Sequence, residues 1–269
     1  MTAYKVKTIR ALDRGLEVLA FLQAARAASL HDMHLATGLP KATLIRIIAT
    51  LDQRGLVWQR LADGAYLPSH LQLARAPHAG LEERLQEVAS PVLVQLCRQV
   101  NWPSILAVPR LDHMEVVETN APKSYFHHIP LGPVGFRVNM LRSATGRAYL
   151  AFCSDSERDA VLQRLRSSGE PGNEIAHDSR LVQRLLDESR RLGYGLRVPD
   201  FGGHYHLPRR GWDDGRNSIA VPIRAGDEVV AVVNLTWIHK VVTLRQVVAQ
   251  CLQPLQAAAA LIGRRLEAG

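Results

Sequence analysis

The stretch ATGLPKATLIRIIATLDQRGLV, residues 36–57, decides how the first part of this chain is read. Gly38 can end a short preceding helix with a left-handed backbone. Pro40 arrives with its φ already set for a first helical turn, where its missing N–H costs nothing. The spacing predicts a helix over residues 40–53, closed by Gly55. Leu44, Ile47, Ile48 and Leu51 fall at i, i+3, i+4 and i+7 and make one buried stripe. The opposite face carries Ala42, Arg46, Ala49 and Gln53, with Thr43 and Thr50 on its flank. A helix lying in a DNA major groove needs such a face. Small residues allow close approach, methyls touch thymine, an Arg forks onto guanine and a Gln pairs with adenine. The amides of the first turn, beside Lys41, can take a phosphate. Taken alone, an amphipathic helix is more often packed on one side and solvated on the other, so its neighbours must decide.

Upstream, Leu12, Leu16, Leu19 and Leu22 recur at helical spacing and predict a helix over residues 9–25 with those leucines inward. A second, short helix fits residues 30–37. Downstream, LVWQR and AYLPS flank Ala62-Asp63-Gly64, where the Asp-Gly pair marks a tight hairpin, with Arg60 in its first strand. Helix, helix, recognition helix and hairpin make a winged helix-turn-helix. Charge supports the same reading. The chain has a formal net charge of +8, and Lys plus Arg outnumber Asp plus Glu by ten to five before residue 77, against twenty-three to twenty after it. A basic end module on a nearly balanced body suits double-stranded DNA as the partner. Lys41, Ala42, Thr43, Arg46, Thr50 and Arg60 are the candidate DNA-binding residues.

The 269 residues, 47% of them apolar, leave room for a second module with its own core. A helix is expected over residues 81–100, with Leu81, Leu85, Val88, Val92 and Leu96 inward and Pro91 within it. Two hairpins follow far apart in sequence. One spans residues 104–119. The other spans 218–236 and turns at Gly226-Asp227. With helices between them they predict an antiparallel sheet covered by helices, hence an α+β chain. Ser154 with Glu157, and Thr243 with Gln246, have capping-box spacing, and Asp178 can cap the helix that ends at Gly193. Within LRSATGRAYLAF, residues 141–152, small residues at a helix start suit a carboxylate, to which Thr145 can add a hydroxyl. Asn234 and Thr236 are two apart on one strand and share a face.

Several functions find no support. Cys97, Cys153 and Cys251 are odd in number, far apart and lack a CxxC, which argues against disulfides and zinc. GxSxG, HExxH and GxxxxGK[ST] do not occur, and GYGLRV at Gly193 lacks the third glycine of a dinucleotide fingerprint. His127-His128 and His204 with His206 lack the carboxylate or Cys partners of a metal site, and Asp213-Asp214 reads as a solvated turn. No catalytic residue, metal or cofactor is expected. Without an apolar leader or a run of about 18 apolar residues, the expectation is a soluble, cytoplasmic chain with no membrane partner.

The patterns RALDRGLEVLAFL, HLATGLPKATLIRIIATLDQRGLV and DGAYLPS, followed by LRSATGRAYLAF, resemble the IclR-type (isocitrate lyase regulator) family of transcriptional regulators along the whole chain. The resemblance implies a winged helix-turn-helix domain at 1–69, a linker helix at 70–80, and at 81–269 a GAF-like domain for effector binding and oligomerisation. It implies a small carboxylic acid effector held by Ala144, Thr145 and Gly146 and, facing them, Ser218, Asn234 and Thr236. It further implies self-association, as a homodimer or homotetramer, on palindromic DNA. The chain departs from some relatives in having Ala144-Thr145 for Gly-Ala, and Ser218 for Cys. Its loop at 197–217 is longer and rich in His and aromatics, among them Phe201, Tyr205 and Trp212. That loop is similar to those of regulators of aromatic-acid breakdown, such as of hydroxyphenylpropionates, which makes an aromatic acid the expected ligand. The alternative is an enzyme acting on a small aromatic acid, with an accessory helical domain.

Overall fold

The computed structural model describes residues 9–69, 80–122, 132–170, 172–203 and 210–268. Residues 70–79 of the expected linker helix at 70–80, the paired histidines at 127–128 and at 204 and 206, and Tyr205 lie outside them. The chain divides into two compact units, Met1–Glu87 and Val88–Gly269, and the division falls within helix Leu81–Val100.

The first unit contains α1 (Arg10–Ala25), α2 (Leu30–Thr37) and α3 (Lys41–Gln53), then a two-stranded antiparallel hairpin of β1 (Val57–Gln59) and β2 (Tyr66–Pro68). Ser29 and Asp32 form a reciprocal capping box at the start of α2, and Gly38 ends it in the left-handed conformation. The core joins Val18 and Leu22 of α1, Met33 of α2, and Leu44, Ile48 and Leu51 of α3 to Val57 of the wing, with Ile47 packed at its edge. Each such side chain, fully buried, contributes roughly 1.5–3 kcal/mol. The α3 stripe is as the spacing predicts. The α1 stripe is not: Leu12 and Leu16 are 57% and 55% exposed, and Val18 takes their place beside Leu22.

The second unit is a six-stranded sheet with helices. Helix α4 (Leu81–Val100), which belongs to this unit from Val88 on, buries Leu85, Val88, Val92 and Leu96, whereas Leu81, expected inward, is 51% exposed. Strands β3 (Ser104–Pro109), β4 (His113–Asn120), β5 (Arg137–Asn139), β6 (Gly195–Leu196), β7 (Arg216–Ala225) and β8 (Glu228–Ile238) assemble in the order β5-β4-β3-β8-β7-β6, each pair antiparallel. The two long hairpins, β3-β4 and β7-β8, thus meet at the centre through β3 and β8. Between β5 and β6 run α5 (Ala144–Phe152), α6 (Asp155–Ser167), a 3₁₀ turn (Glu174–His177) and α7 (Ser179–Leu192). Helix α8 (Leu244–Glu267) closes the chain against β7 and β8. Ser154 caps α6, Asp178 caps α7, and Thr243 with Gln246 forms a full capping box on α8. Among the described residues no helix is long and apolar enough to cross a membrane.

Candidate functional site

Two surfaces have the properties of binding sites, one in each unit. On α3, Lys41, Ala42, Arg46, Ala49, Thr50 and Gln53 are exposed and Thr43 is half-buried. Pro40 stands at the N-cap and contributes no side-chain hydrogen bond, unlike the capping residues of α2, α5, α6, α7 and α8. Its carbonyl accepts from Thr43 N at 2.9 Å and Leu44 N at 3.0 Å, and no described group accepts from the amides of Lys41 and Ala42. The positive end of the helix dipole is therefore presented to solvent next to a lysine. Thr50 donates its hydroxyl back to Arg46 O at 2.9 Å, which leaves its methyl as the outward contact. Arg60 is not a free surface cation. Its Nε and Nη2 donate to Asp63 Oδ1 and Oδ2 at 3.0 and 2.6 Å across the wing turn. That guanidinium, with Ala65 N at 3.0 Å, holds the Asp63 carboxyl below its ordinary range. A phosphate at Arg60 would have to share it with Asp63.

The second surface is a cavity of about 300 Å³ between α5 and one face of the sheet. The register brings its floor together: Ser218 pairs with Thr236 and Ala220 with Asn234, while Ile105 lies opposite Asn234 on β3. Thr145, in the first turn of α5, Ser218, Asn234 and Thr236 all line the space. Ala144 and Gly146, expected there too, do not line it. Ala144 is part of the core, and a Cβ on Gly146 would lie 2.2 Å from Met140 O. Gly146 is a glycine because the helix start is seated on the chain at Met140. The N-terminus of α5 is also partly occupied. Ser143 Oγ accepts from Gly146 N at 3.0 Å, and Asn139 Oδ1 accepts from Leu141 N and Arg142 N at 3.0 and 2.9 Å. The amides of Ala144 and Thr145 are those no described side chain takes. Asn234 is bound into the sheet as well, its Oδ1 accepting from Ile105 N at 2.8 Å and its Nδ2 donating to Thr236 Oγ1 at 3.4 Å.

The sequence reading missed the charged part of the site. Among the charged side chains lining the cavity, Arg137, Arg197 and Arg216 are cations and Asp214 is an anion. Arg197 and Asp214 are paired at 3.0 and 3.2 Å. Burial lowers the pKa of the Arg216 guanidinium, against which the neighbouring Asp214 raises it. Phe201, 5% exposed, carries the guanidinium of Arg142 at 5.1 Å and that of Arg197 at 5.0 Å from its ring centroid. Trp212, Phe136, Ile105 and Val138 supply apolar wall. Arg216 had a usable signal, since it stands two residues before Ser218 on the same strand and so shares its face. Arg197 and Asp214 had none, lying seventeen residues apart across an irregular loop. Among the described residues no three His, Cys, Asp or Glu side chains are grouped to hold a metal ion.

A winged-helix unit with an exposed third helix and an α+β unit with a cavity stand in one chain. The family is given by comparison. The sequence model of the IclR helix-turn-helix domain matches residues 11–61, and that of the bacterial transcriptional regulator IclR C-terminal domain matches residues 81–264. The chain belongs to the IclR family, whose members are regulators and not enzymes, and the enzyme alternative is set aside on that ground. It is similar to the HTH-type transcriptional regulator XynR of Escherichia coli K12, 23% identical over 70% of this chain and 74% of that protein. It is similar to the transcriptional repressor IclR of the same strain, 25% identical over 61% of this chain, and spans 60% of that protein's length. Among solved structures, an IclR homolog from Microbacterium hydrocarbonoxydans complexed with 4-hydroxybenzoate shares the fold. Its TM-score is 0.53 at 23% identity, over 96% of this chain and all of the other.

Proposed function

We propose that this regulator binds operator DNA through the exposed face of α3 and is controlled by a small aromatic carboxylic acid held in the cavity of its second unit. Lys41, Ala42, Thr43, Arg46 and Thr50 meet the major groove, and Arg60 meets a phosphate from the wing. Thr145, Ser218, Asn234 and Thr236 supply the polar contacts to the acid, with Ala144 and Gly146 shaping the helix start behind Thr145. Carrying this reading is one observation: three arginines against one aspartate line a cavity that also has aromatic walls. An anion with a flat apolar body suits both features. A volume of about 300 Å³ is at the small end for a ligand site, which favours a single ring. The solved homologue with 4-hydroxybenzoate supports the same ligand class.

The domain bounds 1–69, 70–80 and 81–269, a homodimer or homotetramer on a palindromic site, and a cytoplasmic location complete the proposal. Ligand binding alters DNA affinity only by favouring one arrangement of the assembled subunits over another. The test is fluorescence anisotropy on DNA from upstream of the gene and of neighbouring operons, with scrambled competitor, at two salt concentrations, with and without 4-hydroxybenzoate and related ring acids. The expected result is competitor-resistant binding that weakens steeply with salt and shifts with a ring acid. Equal affinity for scrambled DNA after selection from random sequence would refute the operator reading. Indifference to every ring acid would refute the effector reading.

A further inference from the structure

We propose that Arg197 is the carboxylate receptor of the cavity and that Asp214 is an internal stand-in, which the carboxylate of a ligand displaces from the Arg197 fork. This rests on the reading of the cavity as an acid site.

Arg197 is aimed by contacts that do not involve Asp214. Leu196 before it is paired to Ile219 in the sheet, and its own amide donates to Ser218 O at 3.2 Å. Its Nε donates to Phe201 O at 2.8 Å, and its guanidinium lies against the Phe201 ring. The two terminal nitrogens form a planar fork. Asp214 fills it from Nη1 to Oδ2 at 3.2 Å and from Nη2 to Oδ1 at 3.0 Å. A bidentate fork of this kind fits any carboxylate, whether it comes from the chain or from a ligand.

Asp214 is delivered to that fork by the chain. Its amide donates to Gly202 O at 2.9 Å, and its Oδ1 accepts from Arg216 N at 3.0 Å. A Cβ on Gly203, at φ +99°, would lie 2.2 Å from Asp214 Oδ2 and 2.9 Å from Arg197 Nη2, so the loop backbone passes directly over the pair. The side chains are 6% and 16% exposed, and both line the cavity.

The charge balance gives the pair its role. Arg137 is exposed and paired with Asp112 at 3.5 Å, so the desolvated cations of the lining are Arg197 and Arg216, and without Asp214 no anion would stand among the lining residues. Desolvated cations of that kind are costly, and Asp214 offsets the cost while the cavity is empty. A ligand carboxylate brings a second anion to the same fork. Two carboxylates sharing one site repel, so one must leave or take up a proton. A charged ligand therefore binds against the competition of Asp214, and a neutral one of the same shape does not.

The test is calorimetric titration of the full-length protein with benzoate and with neutral benzamide, on the unaltered chain, Asp214→Asn and Arg197→Gln. Asparagine keeps the acceptor for Arg216 N and removes the charge. Asp214→Asn is expected to bind benzoate about tenfold more tightly, with benzamide affinity changed less than about twofold. Arg197→Gln is expected to remove the preference for benzoate over benzamide. Thermal unfolding and operator binding serve as checks that each variant is folded. Benzoate affinity unchanged or weakened in folded Asp214→Asn, with the unaltered chain still binding it, overturns the exchange and leaves the acid-site reading standing. A benzoate preference that survives Arg197→Gln overturns Arg197 as receptor. Failure of the unaltered chain and Asp214→Asn to bind either compound overturns the acid-site reading and this proposal together.

Discussion

Helices α3 and α5 are both short, both entered from a turn, and both carry small residues near their start. In α3 only Leu44, Ile48 and Leu51 are buried, and the N-cap is a proline with no side-chain hydrogen bond. In α5 every residue from Ala144 to Ala151 is buried. Its N-cap Ser143 both accepts from Gly146 N and donates to Asn139 O, at 2.6 Å. A helix with one buried stripe can offer its whole outer face to a large, rigid partner such as a duplex. A helix packed all round can offer only its end, and what meets that end has to be small. The difference separates a broad open helix face from an enclosed helix end without reference to any motif.

The contrast is broken most severely at Gly146. Gly146→Val is expected to unseat α5 from the chain at Met140 and to destabilise the protein by about 3 kcal/mol, read by chemical denaturation. Ala42→Val, on the exposed face of α3, should cost under about 0.5 kcal/mol by the same measurement. Equal costs would mean that the two helices are packed alike. Next in size, Arg46→Ala is expected to weaken specific DNA binding by about 2 kcal/mol with the unfolding transition unchanged. Operator affinity equal to that of the unaltered protein would remove Arg46 from the interface.

Asn234→Ala sharpens the comparison from the cavity side. It removes the acceptor for Ile105 N, so a stability loss of about 1 kcal/mol is expected together with a weakened ligand response. DNA binding in the absence of ligand should be retained. A full ligand response in the folded variant would assign Asn234 to the sheet alone. The smallest effect is expected at Gly15, in the middle of α1, where a Cβ meets nothing within 4 Å. Gly15→Ala should stabilise by roughly 0.8 kcal/mol through helix propensity. Destabilisation would mean that this face of α1 is covered in the assembled protein.

How much of this could be read from the chain differs from residue to residue. The α3 stripe was legible because Gly38, Pro40 and Gly55 bracket a clean helical period. The wing was legible from Asp63-Gly64, and the shared face of Asn234 and Thr236 from the two-residue period of a strand. Leu12, Leu16 and Leu81 were misplaced because periodicity identifies an apolar face and not what covers it. Gly146 was read as a ligand contact when its backbone is pressed on Met140 O, and small residues at a helix start look alike in both situations. The pairing of Arg60 with Asp63 was not legible, because a partner three residues away across a tight turn depends on the turn's geometry.

By itself the sequence determined the two-part plan, the winged helix-turn-helix, and the two long hairpins of the sheet. Each rests on local signals, a period, a cap or a turn residue, whose physics acts over a few positions. Only the tertiary structure decided which strand faces meet, that Thr145, Ser218, Asn234 and Thr236 share one cavity, and that Arg197, Arg216 and Asp214 charge it. The bonds that seat Arg197 on Asp214 and Asn234 on Ile105 join residues 17 and 129 positions apart. Their energy depends on burial and on aligned donors and acceptors, which appear only when distant segments have packed together.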